Sequence, residues 1–224
     1  MPTKSHQIVI ADGHPLFRVS LMNAITEYYP DATIELPESF GTLNRVMGAG
    51  LKPDLLILDL TLPESAGFSG LIMLLANFRR VPVLVISANT TPRVISKAIE
   101  HGASGFLSVD SDSEEISSAI GCILKDGVWI PADVGLSQGH LSDSEAKAAQ
   151  LIGRLTPQQF HIAAEMAEGL TNLHIMKKLN LTKVQFKKQL DSILRKLEVR
   201  TRKQAIVSIN YLHRVLNATT TTLQ

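Results

Sequence analysis

Residues 55–59, LLILD, and residues 81–87, VPVLVIS, are apolar almost without interruption and rich in branched side chains. A strand that buries one face alternates apolar and polar residues, whereas a strand covered by helices on both faces does not. The two runs therefore predict central strands of a parallel sheet. Working outward, shorter runs of the same kind occur at 8–11, 33–36 and 105–108. Amphipathic stretches lie between and after them, at 16–28, 42–49, 71–78, 93–101 and 114–125. This β–α alternation predicts a doubly wound α/β fold of five parallel strands with right-handed crossovers. Thr91-Pro92 and the capping-box pattern Ser111-Asp112-Ser113-Glu114 mark two of the helix starts.

The strand signal stops after residue 130. Residues 131–154, PADVGLSQGHLSDSEAKAAQLIGR, combine Pro, Gly, Ser and mixed charge. They read as a linker, with a short helix over 144–152. Thr156-Pro157-Gln158-Gln159 then opens a helix as a capping box with proline at its first position, and Gly169 ends it. A short helix over 172–179 follows. Thr182-Lys183-Val184-Gln185 is a second capping box and starts a helix to residue 197, and a fourth helix spans 202–216. This order predicts an all-α, four-helix domain containing a helix-turn-helix. The expected boundaries are 1–130 for the α/β domain, 131–154 for the linker and 155–217 for the helical domain. The tail at 218–224, ATTTTLQ, is expected to be disordered.

The formal net charge of +1 conceals a division. Residues 1–153 hold ten Lys and Arg against seventeen Asp and Glu; residues 154–224 hold twelve against four. An acidic domain joined to a basic one points to nucleic-acid binding by the second half. The acidic half is also expected to dock on the basic half and mask it. A single cysteine, Cys122, excludes a disulfide framework and a Cys-based zinc site, and its apolar neighbours predict burial. The N-terminus lacks a signal-peptide run, and no apolar stretch approaches the ~18 residues of a membrane span. A cytoplasmic protein without a membrane partner is expected. His161, His174 and His213 are too scattered in sequence for a metal site and read as surface or core residues.

In a doubly wound sheet, ligands bind beyond the carboxyl ends of the strands. Asp12 and Gly13 follow the first strand, Asp59 ends the third, Ser87 the fourth, and Val109 follows the fifth. Carboxylates gathered at this edge can hold Mg²⁺ through oxygen, and Asp59 can attack a phosphoryl donor. The same residues also suit plain structural roles. Asp12 and Asp59 can be polar strand ends that cap the next loop, Ser87 can bond the backbone, and Phe106 can be a core aromatic.

The stretches IVIADGHPLFR, DLLILDLTLPESAGF, VLVISA and GASGFLSVD together resemble the receiver domain of bacterial response regulators of the NarL/FixJ branch, over almost all of residues 7–125. The resemblance implies that Asp59 is the phosphoacceptor, Asp12 a metal-holding acid, Ser87 the switch hydroxyl and Phe106 its aromatic partner. Two positions depart from the family. Gly13 stands where a second, more direct metal-holding acid is usual, and Val109 stands where a phosphoryl-contacting Lys is usual. Both losses remove stabilisation of charge on the transferring phosphoryl group. Mg²⁺ held by Asp12 and Asp59 alone is expected to bind weakly, and no cofactor is required. The expected receiver is atypical and works without phosphorylation of Asp59. A small-molecule ligand in the altered pocket or at a domain interface is an open alternative means of control.

The run from Leu155 to Val207 resembles the LuxR-type helix-turn-helix of the same family, in its LTP opening, EGLTN, KKLNL and ILRKLEVRTRKQA. The resemblance implies contact with double-stranded DNA through the helix that begins at Lys183. Candidate contacts are Thr182, Lys183, Gln185, Lys187, Lys188 and Arg195, with Arg200, Arg202 and Lys203 gripping the backbone. Lys187 is the leading groove contact, with Lys188 beside it. Gln185, Phe186 and Gln189 depart from the usual residues, so the recognised DNA sequence is expected to differ. Asp191 adds an acid on the same helix.

The expected function is a DNA-binding transcriptional regulator that is not an enzyme and binds two-fold sites as a homodimer. Two alternatives stay open. One is a conventional regulator switched by a histidine kinase acting on Asp59; the other is an adaptor whose basic helix meets protein. A haloacid-type phosphatase would need an Asp-x-Asp pair, and Thr61 stands two residues after Asp59.

Overall fold

The computed structural model describes residues 5–131 and 142–217. The expected sheet is present, with five parallel strands in the order β2-β1-β3-β4-β5. They are β1 (Gln7–Ala11), β2 (Thr33–Glu35), β3 (Leu55–Asp59), β4 (Val83–Ser87) and β5 (Gly105–Ser108). Helices α1 (Pro15–Tyr28), α2 (Phe40–Gly48), α3 (Phe68–Asn77), α4 (Pro92–Glu100) and α5 (Ser113–Ile123) connect and follow them. Every residue of β3 and β4 is buried. Their side chains alternate between two cores. Leu55, Ile57, Leu84 and Ile86 face α1 and α5; Leu56, Leu58, Val83 and Val85 face α2, α3 and α4. Two covered faces explain the uninterrupted apolar runs.

The helical half comprises α6 (Asp143–Gly153), α7 (Pro157–Ala167), α8 (Asn172–Lys178), α9 (Lys183–Lys196) and α10 (Arg202–Asn217). The capping boxes expected at Thr156 and Thr182 are both formed, with Gln159 and Gln185 as reciprocal partners. The short helix expected over 144–152 is present as α6, one residue longer at each end and started by a Ser142–Glu145 capping box. Its buried Ala148, Leu151 and Ile152 make this second part of the expected linker a packed element. Residues 132–141 and the tail at 218–224 lie outside the described residues. Two smaller corrections concern α5. Its cap is Asp112, one residue later than expected, because its carboxylate reaches the Glu115 N–H at 2.8 Å. Cys122 is only half-buried, its thiol directed to Val128 O at 3.7 Å. Thr91 stands at the start of α4, but its hydroxyl donates to Asn89 rather than capping the helix.

The second core does not end with the first domain. It runs from Val9 through α3 into α6, α7, α9 and α10, as far as Leu216. Gly153 of α6 crosses α3 closely: a β-carbon there would lie 3.4 Å from that of Ala76. The rings of Phe40 and Phe160 meet at 5.3 Å between centroids. Asn77 donates to Leu155 O at 3.0 Å, and Lys97 of α4 pairs with Glu145 of α6 at 2.5 Å. Among the described residues no helix is long and apolar enough to cross a membrane.

Candidate functional site

Strand order reverses between β1 and β3, so their carboxyl ends flank a crevice. Parallel register pairs Ala11 with Leu58, which brings Asp12 and Asp59 to the same edge. Both are buried, at 3% and 4% exposure. Burial pushes the Asp12 carboxyl above its ordinary value, and the neighbouring Asp59 adds to the rise against hydrogen bonds from His14. His14, next but one to Asp12, escaped the sequence reading. Its Nδ1 lies 3.1 Å from Asp12 and 3.5 Å from Asp59, so the imidazole stands between the two acids. The Asp-x-His spacing was the available signal.

Asp59 accepts from Thr61 at both carboxylate oxygens, from N at 2.8 Å and from Oγ1 at 2.5 Å. Position 13 brings no carboxylate, and a β-carbon there would meet the Pro63 ring. Mg²⁺ demands near-octahedral oxygen ligation. Two carboxylates, one held at both oxygens and both beside an imidazole, fit that demand poorly. Ser87 Oγ accepts from Asn89 N at 3.1 Å, the backbone role considered for it. Phe106 is fully buried in the core beneath α4, and the Val109 side chain packs with the core on the α1–α5 face. Beyond β5 the chain continues as Val109-Asp110-Ser111, a stretch without a cationic residue.

The second surface is α9. Phe186 and Ile193 are buried beneath it, while Lys183, Lys187, Lys188, Asp191 and Arg195 are exposed. The capping box engages Thr182 and Gln185 with each other: Gln185 Oε1 accepts from Thr182 N and Oγ1, each at 2.9 Å. Gln159 braces α9 from α7, donating to Gln189 at 3.0 Å and Ser192 at 3.1 Å. Arg202 turns inward and donates to Leu170 O at 2.5 Å, whereas Arg200 and Lys203 are exposed. The candidates thus divide into an outward cationic set and a set that builds the helix-turn-helix.

A third cluster joins the two halves and carried no sequence signal. Lys178 of α8 donates to Glu165 of α7 at 2.7 Å and to Glu64 of the β3–α3 loop at 3.0 Å. His161 Nε2 lies 3.4 Å from Glu165 and 3.6 Å from Glu64. Beside them a cleft of about 650 Å³ opens between α2 and the α7–α8 region. The expected docking of the acidic half on the basic half is present through α6, α7, α8 and α10, and it leaves the outer face of α9 in solvent.

A crevice at the strand-order reversal with a buried aspartate pair, followed by a helix-turn-helix with a basic outer helix, defines a receiver-type regulator with a DNA-reading head. The family model for the response regulator receiver domain matches residues 8–121, and that for bacterial regulatory proteins of the luxR family matches residues 154–209. The glycerol metabolism activator of Pseudomonas putida is 34% identical over 208 residues, covering 91% of this chain and 94% of that protein. The nitrate/nitrite response regulator protein NarL of Escherichia coli K12 is 26% identical over 204 residues, with 91% and 94% covered. In fold, the chain is similar to the RcsB response regulator of Salmonella typhimurium, at a TM-score of 0.55 and 19% identity, over 93% of this chain and 99% of that one. The chain belongs to the NarL/FixJ family of response regulators, two-component DNA-binding transcription regulators.

Proposed function

We propose that this regulator controls transcription without phosphorylation of Asp59, its receiver acting as a structural and docking domain. The carrying observation is at position 13, where the Pro63 ring takes the space an acid's side chain would need. At the opposite side of the pocket, Val109 supplies no charge. A transferring phosphoryl group there lacks both the metal and the cation that offset its developing charge. Mg²⁺ binds at Asp12 and Asp59 only weakly in this reading, and no catalytic role is assigned to the chain.

The DNA-binding head engages duplex DNA through the outer face of α9, with Lys183, Lys187, Lys188, Arg195, Arg200 and Lys203 neutralising phosphates or meeting base edges. Two heads in a homodimer match a two-fold site. Support comes from the family and from the exposure of these cations in the intact chain. The test is selection of bound duplexes by the full chain, with and without a small phosphodonor and Mg²⁺, repeated with Asp59→Ala. The expected result is the same selected sequence and affinity in every arm. Phosphodonor-dependent binding that Asp59→Ala abolishes would overturn the reading in favour of a conventional, kinase-switched regulator.

A further inference from the structure

We infer that base preference is set by one stripe of α9, Val184, Lys187, Lys188 and Asp191, with Val184 and Asp191 as the discriminating residues. This rests on the DNA-binding reading above. The four lie at i, i+3, i+4 and i+7, on one helical face, and all four are exposed. Phe186 and Ile193, on the opposite side, anchor the helix in its core.

Val184 is 79% exposed, in the first turn of α9 between the capping residue and the lysines. An apolar side chain at the groove-entering end of a recognition helix finds its complement in the C5-methyl of thymine. Asp191 is exposed, and among the described residues no hydrogen bond or ion pair holds it. Phosphates repel a carboxylate, but in the major groove it accepts from the N4 amine of cytosine. Lys187 and Lys188, one turn before it, offset its charge and are placed to donate to guanine O6 and N7.

The two glutamines that residue type alone would nominate are engaged elsewhere. Pairing with adenine needs the amide oxygen and nitrogen together. Gln185 has its oxygen turned back onto Thr182. Gln189 donates to Gln158 at 2.9 Å and accepts from Gln159 at 3.0 Å. The site read by this face is therefore a duplex with thymine, guanine and cytosine contacts in the major groove.

Selection from a random duplex pool by the full chain tests this, comparing wild type with Val184→Ser, Asp191→Asn and Val128→Ser, an exposed valine of the receiver. Val184→Ser is expected to lose preference for thymine at one position by roughly three- to tenfold. Asp191→Asn is expected to shift one other position from cytosine towards adenine. Val128→Ser selects the wild-type sequence. Thermal melts of each variant separate misfolding from altered reading. If wild type selects a sequence and both stripe variants select the same one, or merely bind it more weakly, the stripe assignment is wrong while DNA binding stands. If wild type selects nothing, the DNA-binding reading itself fails.

Discussion

A β-carbon on Gly13 would stand 2.7 Å from Cδ of Pro63. Carbon atoms in contact sit near 3.5–4.0 Å. The proline ring and a longer side chain at position 13 therefore compete for one volume, and restoring the missing acid by a single exchange requires the ring or the backbone to shift. Gly13→Asp is expected to lower stability by about 1–3 kcal/mol through overpacking. Tight Mg²⁺ binding should not return with it. Chemical denaturation and calorimetric Mg²⁺ titration check both halves of this outcome.

The ion cluster at the domain junction has unequal members. Lys178→Met leaves the carboxylate of Glu165, 6% exposed, without its ammonium. Stranding a buried charged acceptor costs about 1–3 kcal/mol or more. Glu64→Gln keeps a hydrogen-bonding side chain in the more exposed arm and is expected to cost less than about 1 kcal/mol. Urea unfolding should rank the two in that order. The hydrogen bond to Glu165 raises the Lys178 pKa, so its contribution is fully present below the ordinary lysine value and fades only as pH rises through the higher folded one.

Acid should unfold the protein through two imidazoles. Burial, reinforced at His101 by nearby Lys97, lowers the pKa of His101 and of His213 to about 4. Unfolded histidine titrates near 6.5, so between these values the unfolded chain takes up protons that the folded chain refuses. Stability is intact above about pH 6.5 and falls as pH drops towards 4, on the order of 3 kcal/mol per group as an upper bound. His213→Leu is expected to flatten this slope, as read by denaturation midpoints between pH 4 and 7.

Asn217, at the end of α10, accepts from Phe68 N and donates to Ala66 O, both at 2.9 Å. Its amide therefore ties the last helix to the entry of α3. Asn217→Ala is expected to cost about 1–3 kcal/mol. Gly67, at φ +62, has the same amide where a β-carbon would go. Gly67→Ala should consequently cost less in the Asn217→Ala background than in wild type, a non-additivity that a double-mutant cycle measures.

The parts legible in sequence were those whose cause is local. Uninterrupted apolar runs announced β3 and β4, and Thr156 and Thr182 announced their helices through the partner three residues on. Gly13 and Val109 were visible as departures, but Pro63 was not visible as the filler of the gap, because fifty positions of chain separate two atoms that touch. A separation about twice as long hid Glu64 from His161, Glu165 and Lys178, the last of them 114 positions away. Helix α6 was under-read because only three of its residues are buried anchors, although Ser142 and Glu145 carried the capping signature. Thr182 and Gln185 served two readings at once, as caps and as DNA contacts, and their mutual hydrogen bonds assign their oxygens to the first.

The tie between Asn217 and Phe68 spans 149 positions, and that span has a consequence for synthesis. At about 5–20 residues per second, α3 leaves the ribosome roughly 7–30 seconds before α10 is complete. During that interval the sheet can form, yet the outer side of α3 still waits for the helices that cover it. The nascent chain thus carries an uncovered apolar surface until α10 has been made, a window in which a holding chaperone has something to grip. A message truncated before α10 would leave that surface uncovered for good.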